Sequence, residues 1–368
     1  DAVVDYTSGT TTSVLRFNYT VGSGHASDDL DYKATTSLAL NGGTIKDRST
    51  NENVATRTLF SPAATNSLGN NEAIIIDGSV PTFVKAWQYD TDGDGNIDEI
   101  VVELSEAVSD VSVTYGDFAL GSGSVTGFSS FSSGSRANTK DAADNDEFIT
   151  LEVSVTGTAD VTVGYTNNST GNDLVDLAGN EAATTSSITT DDKAAPVIIA
   201  AQTKDIDGDG KIDRIDLTFS ESLDDSRGSN MNNNSFTLGS SYSVASVTTD
   251  TGDDEFLRVG VGENSSVDSD VTPTIAMGAS KIADADNNMA AQSAFTPSDG
   301  AAPIVINVNS NTAAGRYEIG DVIDILITFS ETVDITGTPQ LTLETGGSDA
   351  VVDYTSGTTT SVLRFNYT

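Results

Sequence analysis

Ile97-Asp-Glu-Ile-Val-Val-Glu-Leu-Ser-Glu106, Ile212-Asp-Arg-Ile-Asp-Leu-Thr-Phe-Ser-Glu221 and Val322-Ile-Asp-Ile-Leu-Ile-Thr-Phe-Ser-Glu331 are one segment written three times. Apolar and polar residues alternate through most of each, the pattern of a half-buried β-strand. Each follows a linker of one plan: Asp77-Gly-Ser-Val-Pro81, Asp191-Asp-Lys-Ala-Ala-Pro196 and Asp299-Gly-Ala-Ala-Pro303. Proline fixes φ and donates no ladder hydrogen bond, so it suits the first residue of a first strand. A further strand is expected in each unit, at residues 13–21, 147–155 and 255–261. Each unit then reaches an Asx-rich turn: Ile45-Lys-Asp-Arg-Ser-Thr-Asn51, Val175-Asp-Leu-Ala-Gly-Asn180 or Ile282-Ala-Asp-Ala-Asp-Asn-Asn288.

The linker prolines Pro81, Pro196 and Pro303 are 115 and 107 residues apart. Short strands, frequent Gly, Asn and Asp turns, and units of that size predict an all-β chain of tandem immunoglobulin-like antiparallel β-sandwich domains. The first twenty residues, DAVVDYTSGTTTSVLRFNYT, recur unchanged from Asp349 to Thr368, 348 residues on. The expected organisation is a window on an array of long repeats. Residues 1–78 would be the C-terminal part of a split domain A, 79–192 domain B, 193–300 domain C, and 301–368 the N-terminal part of the next domain A. The two halves of A are expected to meet, through a covalent array or by strand exchange between subunits. Helix is expected only as a turn or two within residues 53–67.

Asp and Glu number 55 against 17 Lys and Arg, a formal charge of −38. Nucleic acid and anionic membrane both require basic surface, so neither is an expected partner. No apolar run is long enough to insert into a membrane as a helix. There is no cysteine, which excludes disulfides and thiolate metal sites. Catalysis finds no support: His25 is the single histidine, and no nucleophile–base set is readable. Trp87 is expected in a strand core, with sugar stacking as the alternative.

The acid is concentrated in short Asp/Gly/Asn loops. Asp90-Thr-Asp-Gly-Asp-Gly-Asn-Ile-Asp98 and Asp205-Ile-Asp-Gly-Asp-Gly-Lys-Ile-Asp213 carry carboxylates at positions 1, 3, 5 and 9 and Gly at position 6. That spacing matches the first part of an EF-hand loop and predicts Ca2+. Expected ligands are Asp90, Asp92, Asp94 and Asp98, then Asp205, Asp207, Asp209 and Asp213, with backbone carbonyls from Asn96 and Lys211. Val101 and Asp216 stand where an EF-hand has its closing Glu, and the flanks read as strands. The alternative is an Asp-Gly hairpin without an ion. The late turns offer Asp176 and Asn180, Asp284, Asp286 and Asn288, and Asp47 and Asn51, as ligands or as Asx-turns capping their own backbone. In a sandwich of this kind the loop after the first strand lies at the pole facing the next domain. Residues 90–98 are therefore expected beside Asp191, Asp192 and the 284–288 turn, and residues 205–213 beside Asp299. The joint after Asp77 is expected to be softer. The equivalent loop of domain A, residues 311–318, holds one acid, leaving only Asp77 and the 176–180 turn.

The Asp-x-Ala-Pro linker, the Thr-Phe-Ser-Glu strand end, TPQLTLETGG from Thr338, LALNGGTIKD from Leu38 and DLAGN from Asp176 resemble immunoglobulin-like tandem repeats of giant bacterial surface proteins and adhesins. The resemblance implies an extracellular, non-enzymatic role: a structural unit of a filament, stalk or adhesin, rigidified by calcium, with copies of itself as partners. The other function it allows is an adhesive module that binds surface glycans or proteins.

Overall fold

The computed structural model describes residues 2–109, 113–128, 145–168, 173–227, 231–239, 242–249 and 252–368. The chain is nearly all β, 39% strand and 3% helix. No helix among the described residues is long and apolar enough to cross a membrane.

Among the described residues, most buried apolar side chains fall into three clusters. The first lies between two sheets. One has five strands in the order Asp191–Asp192, Phe83–Tyr89, Ile97–Leu104, Phe148–Val155, Ser124–Phe128. The other has three, Thr185–Thr189, Thr162–Tyr165 and Phe118–Leu120. Ile97, Ile100, Val102 and Leu151 from the larger sheet share a core with Phe118, Val163 and Tyr165 from the smaller. The second cluster repeats this plan. A sheet ordered Ile198–Lys204, Arg214–Phe219, Phe256–Gly262, Ser243–Thr249 packs on one ordered Phe236–Leu238, Ile275–Met277, Gln292–Phe295. Among the described residues, pairing is antiparallel except where Asp191–Asp192 runs parallel to Phe83–Tyr89, and at the bridge from Gln202 to Ser298.

The third cluster has one sheet, ordered Val305–Ser310, Ile323–Val333, Thr360–Tyr367, Ala350–Ser356, Gln340–Leu343. Only Val352, Leu363 and Phe365 are fully buried there. Among residues 2–78, Tyr6–Ser8 pairs with Arg16–Phe17 and Ala26–Ser27 with Ile76–Asp77.

The alternating segments are strands where alternation places them. The strand expected at residues 13–21 is shorter, the two residues Arg16–Phe17, whereas the identical sequence near the C-terminus forms eight, Thr360–Tyr367. The difference is the neighbour: Thr360–Tyr367 pairs along Ile323–Val333, and Arg16–Phe17 has no such strand beside it. The expected helical turn begins later, at Leu68–Asn71, because Ser67 caps it by accepting from the Asn70 amide at 3.2 Å. Trp87 belongs to a strand but not to its core face. Alternation turns Ala86 and Gln88 inward, and Trp87 lies half-buried outside, with Lys85 Nζ 5.3 Å from its ring centre. The buried Gln88 is satisfied by the Thr158 carbonyl, the Val161 amide and the Thr190 hydroxyl.

Candidate metal centres

The two Asp-Gly loops adopt one wiring. Asp90 accepts from the Gly93 amide at 2.7 Å and the Gly95 amide at 2.9 Å; Asp205 accepts from Gly208 at 2.7 Å and Gly210 at 2.8 Å. Asp92 and Asp207 each accept from the amide two residues on at 3.2 Å. Four glycines, Gly93, Gly95, Gly208 and Gly210, take φ between +75° and +87°, where a side chain is strained.

The loops gather different carboxylates. Asp90, Asp92 and Asp94 bring an oxygen each within 4.8 Å of one another in the first; Asp205, Asp207 and Asp213 do so in the second. The side chain at position 7 accounts for part of this. Lys211 Nζ pairs with the Asp209 carboxylate and, at 3.2 Å, with Glu263, which holds Asp209 below the usual carboxylate range. Asn96, in the other loop, donates to Asp94 and accepts from the Gly157 amide at 3.0 Å. Asp98 is turned to the Thr91 hydroxyl and amide. Burial raises the Asp90 carboxyl against the pull of three backbone amides.

Two further groups form at the linkers. Asp77, Glu106 and Asp176 converge to the same 4.8 Å limit, and so do Asp192, Glu221 and Asp284. Each takes its linker acid from before the proline, its Glu from the end of the repeated strand, and its last Asp from the late turn. The serine before each Glu sets this geometry. Ser105 and Ser220 bind the first residue after the linker proline twice: the serine hydroxyl accepts from its amide at 3.0 and 3.2 Å, and the serine amide donates to its carbonyl at 2.9 Å in both. The strand end carrying Glu106 or Glu221 is thereby fastened to the linker. The turns close each group from the far side. Asp176 accepts from the Asn180 amide and side chain, Asp284 from those of Asn288.

The electrostatics of the linker groups are strained by like charge. Glu221 is raised well above the carboxylate range, first by burial, then by Asp192 and Asp284. Its Oε1 is shut from solvent and accepts no hydrogen bond. Asp192 rises by burial and by Asp284, against the Ala194 amide. Glu106 rises by burial, then by Asp77 and Asp176. Glu331, at the same place in the third segment, rises by burial and by Asp299.

Several expected ligands stand elsewhere. Asp191 pairs with Lys85 at 2.6 Å, and Asp286 is exposed in its turn. The 90–98 loop does reach the following unit, but through Gly95, which faces Ile199 and Ser220. Gly210 likewise faces Ile304. The loops' carboxylates thus form groups apart from the linker groups, and the joint after Asp77 has a full linker group rather than two acids. The residues the sequence reading passed over are Glu106, Glu221 and Glu331. Their signal was the Ser-Glu pair that closes all three strand segments.

No family model matches the chain, and no curated protein does. Among solved structures, the crystal structure of the S-layer protein rSbsC(31-844) is similar at TM-score 0.22 and 10% identity, covering 78% of this chain. The chain spans half the length of that structure.

Proposed function

We propose that the chain is a structural unit of an extracellular filament, stalk or surface adhesin, built of immunoglobulin-like sandwiches in tandem and rigidified at its joints by calcium. The observation that carries this is the repetition of one three-carboxylate group at two successive linkers, from corresponding residues. Three carboxylates offer six oxygens and no nitrogen or sulfur, a donor set suited to a hard divalent cation. The crowding of Glu221 against Asp192 and Asp284 supports a ligand at the second linker, because three partly buried carboxylates brought together repel one another unless a cation or protons offset their charge. A cation there would tie the strand end, the linker and the late turn together, so the angle between neighbouring units would be fixed by ligation as well as by packing.

The test is thermal unfolding of the whole chain with calcium and with chelator, beside Glu106→Gln and Glu221→Gln. Ligand binding to the folded state adds about 2.7 kcal/mol at a hundredfold excess over Kd. A calcium-dependent rise that shrinks in both variants is expected. A melting curve indifferent to chelator would sink the calcium reading.

A further inference from the structure

The two units that hold both their sheets, residues 79–192 and 193–300, build the larger sheet in one register. Phe83–Tyr89, Ile97–Leu104 and Phe148–Val155 in the first correspond to Ile198–Lys204, Arg214–Phe219 and Phe256–Gly262 in the second. Ile100, Val102 and Leu151, or Ile215, Leu217 and Leu257, turn inward and fill the cores. Alternation sends the residues between them to the outer face of each sheet. The two outer faces carry opposite charge.

On the first unit the outward charges of these strands are Glu99, Glu103 and Glu152 against Lys85, and Lys85 is already paired with Asp191 at 2.6 Å. Glu99 and Glu152 stand directly opposite each other across two strands, a like-charge placement that destabilises a sheet. Beside them the half-buried rings of Trp87 and Phe148 lie 6.5 Å apart, with Val101 buried next to Trp87 in the register.

On the second unit the outward charges are Lys204, Arg214 and Arg258 against Asp216, which Arg214 holds at 2.6 Å. Arg214 occupies the position of Glu99, and its direct cross-strand neighbour is Lys204, so this face too sets like charges side by side. A face with a positive balance stands out in a chain of formal charge −38 with only 17 basic residues. Phe256, on the same face, is 45% exposed. Aromatic rings on one side and arginines on the other are the residue types that anchor protein–protein contacts.

We infer that the outer face carrying Trp87, Glu103 and Glu152 in one copy of this chain docks side by side on the outer face carrying Lys204, Arg214 and Arg258 in a second copy. Charge complementarity selects that partner: each face supplies the charge that relieves the other's like-charge neighbours. The two faces of one chain cannot close on each other, because the joint between their units is held. Gly95 faces Ile199 there, and the Thr158 hydroxyl donates to the Ser220 carbonyl at 3.1 Å. Each copy carries one face of either sign, so the contact closes a pair or extends sideways into an array. It uses no metal and stands apart from the calcium reading.

Two experiments on the full chain test this. Unlabelled and isotope-labelled copies are mixed and treated with a carbodiimide, which joins a lysine to a carboxylate in direct contact. Peptides joining Lys204 to Glu103 or Glu152, with one labelled and one unlabelled partner, are expected. Their absence, or joined peptides of a single isotope, overturns the docking without any substitution that could disturb folding. In the second, one chain carries Glu103→Lys with Glu152→Lys and another carries Lys204→Glu with Arg258→Glu. Sedimentation should show self-association weakened about tenfold or more in each alone, and restored when the two are mixed, because the reversed faces again match. Association that ignores either pair of reversals means that another surface joins the copies and overturns the proposal. So does a mixture that fails to associate although both chains melt as the unaltered protein does.

Discussion

The side-chain amide of Asn180 donates to the main-chain carbonyl of Asp77, 103 residues earlier, at 3.1 Å. Asn288 repeats the contact on Asp192 at 3.3 Å. Each Asn also caps its own turn Asp, so one side chain fixes both the carboxylate and the linker it faces. Asn→Ala at either position removes both contacts. The expected cost is about 1–2 kcal/mol of stability, with a larger proportional loss of any calcium-dependent stabilisation. Asn180→Asp, which replaces the donating amide with a carboxylate and adds a fourth negative charge, should be more damaging in chelator than in calcium. Urea unfolding of each variant in both conditions checks the pair.

Gly95 is held twice over. Its φ is +87°, and a Cβ there would stand 2.7 Å from Ile199 Cγ2 in the next unit. Gly93 has φ +75° but open space around its Cβ position. Gly93→Ala is therefore expected to cost about 1 kcal/mol, the conformational term alone. Gly95→Ala should cost roughly 1–3 kcal/mol more through the clash, unless the joint opens to relieve it. Small-angle scattering would register that opening as a longer maximum dimension, and Gly93→Ala should leave it unchanged.

The strands were legible because alternation is a local property of Ile97–Leu104 and Arg214–Phe219. The loop backbones were legible because Asp at positions 1, 3 and 5 caps amides a few residues away. Glu106 and Glu221 were not. Each is one acid among 55, and its meaning comes from Asp77 with Asp176, or Asp192 with Asp284, which only the fold brings near. Trp87 misled for a related reason. Alternation fixes two faces but not which one is inner, and the inner one carries Gln88, a polar residue whose partners Thr158 and Thr190 are distant in sequence.

The pH dependence without calcium follows from the raised carboxyls. Glu221 and Asp192 hold protons more tightly folded than unfolded. Their contribution is fully present below the ordinary carboxylate range and is lost as pH rises through the folded values, about 6 for Asp192 and about 9 for Glu221. In chelator, stability should decline across that window. Calcium should flatten the decline by taking the proton's place, and Glu221→Gln should flatten it without calcium. Denaturant midpoints at pH 5, 7 and 9 settle the matter; a chelated protein that gains stability with rising pH would contradict it.

Lys211 distinguishes the two Asp-Gly loops. Its ammonium occupies the Asp209 carboxylate, while Asn96 leaves Asp94 within the group of Asp90 and Asp92. A cation entering residues 205–213 must either do without Asp209 or displace a charge-assisted pair. It also meets one positive charge that the 90–98 loop lacks. The second loop is therefore expected to bind calcium more weakly and with greater sensitivity to salt. Lys211→Asn should free Asp209 and raise its affinity towards that of the first loop, while Asn96→Lys should lower the first towards the second. Terbium luminescence excited through the aromatic side chains, titrated in the two exchange variants, measures both changes. Equal affinities for all three proteins would mean that neither position-7 side chain governs the loop, and that the paired carboxylates of Asp94 and Asp209 are dispensable to it.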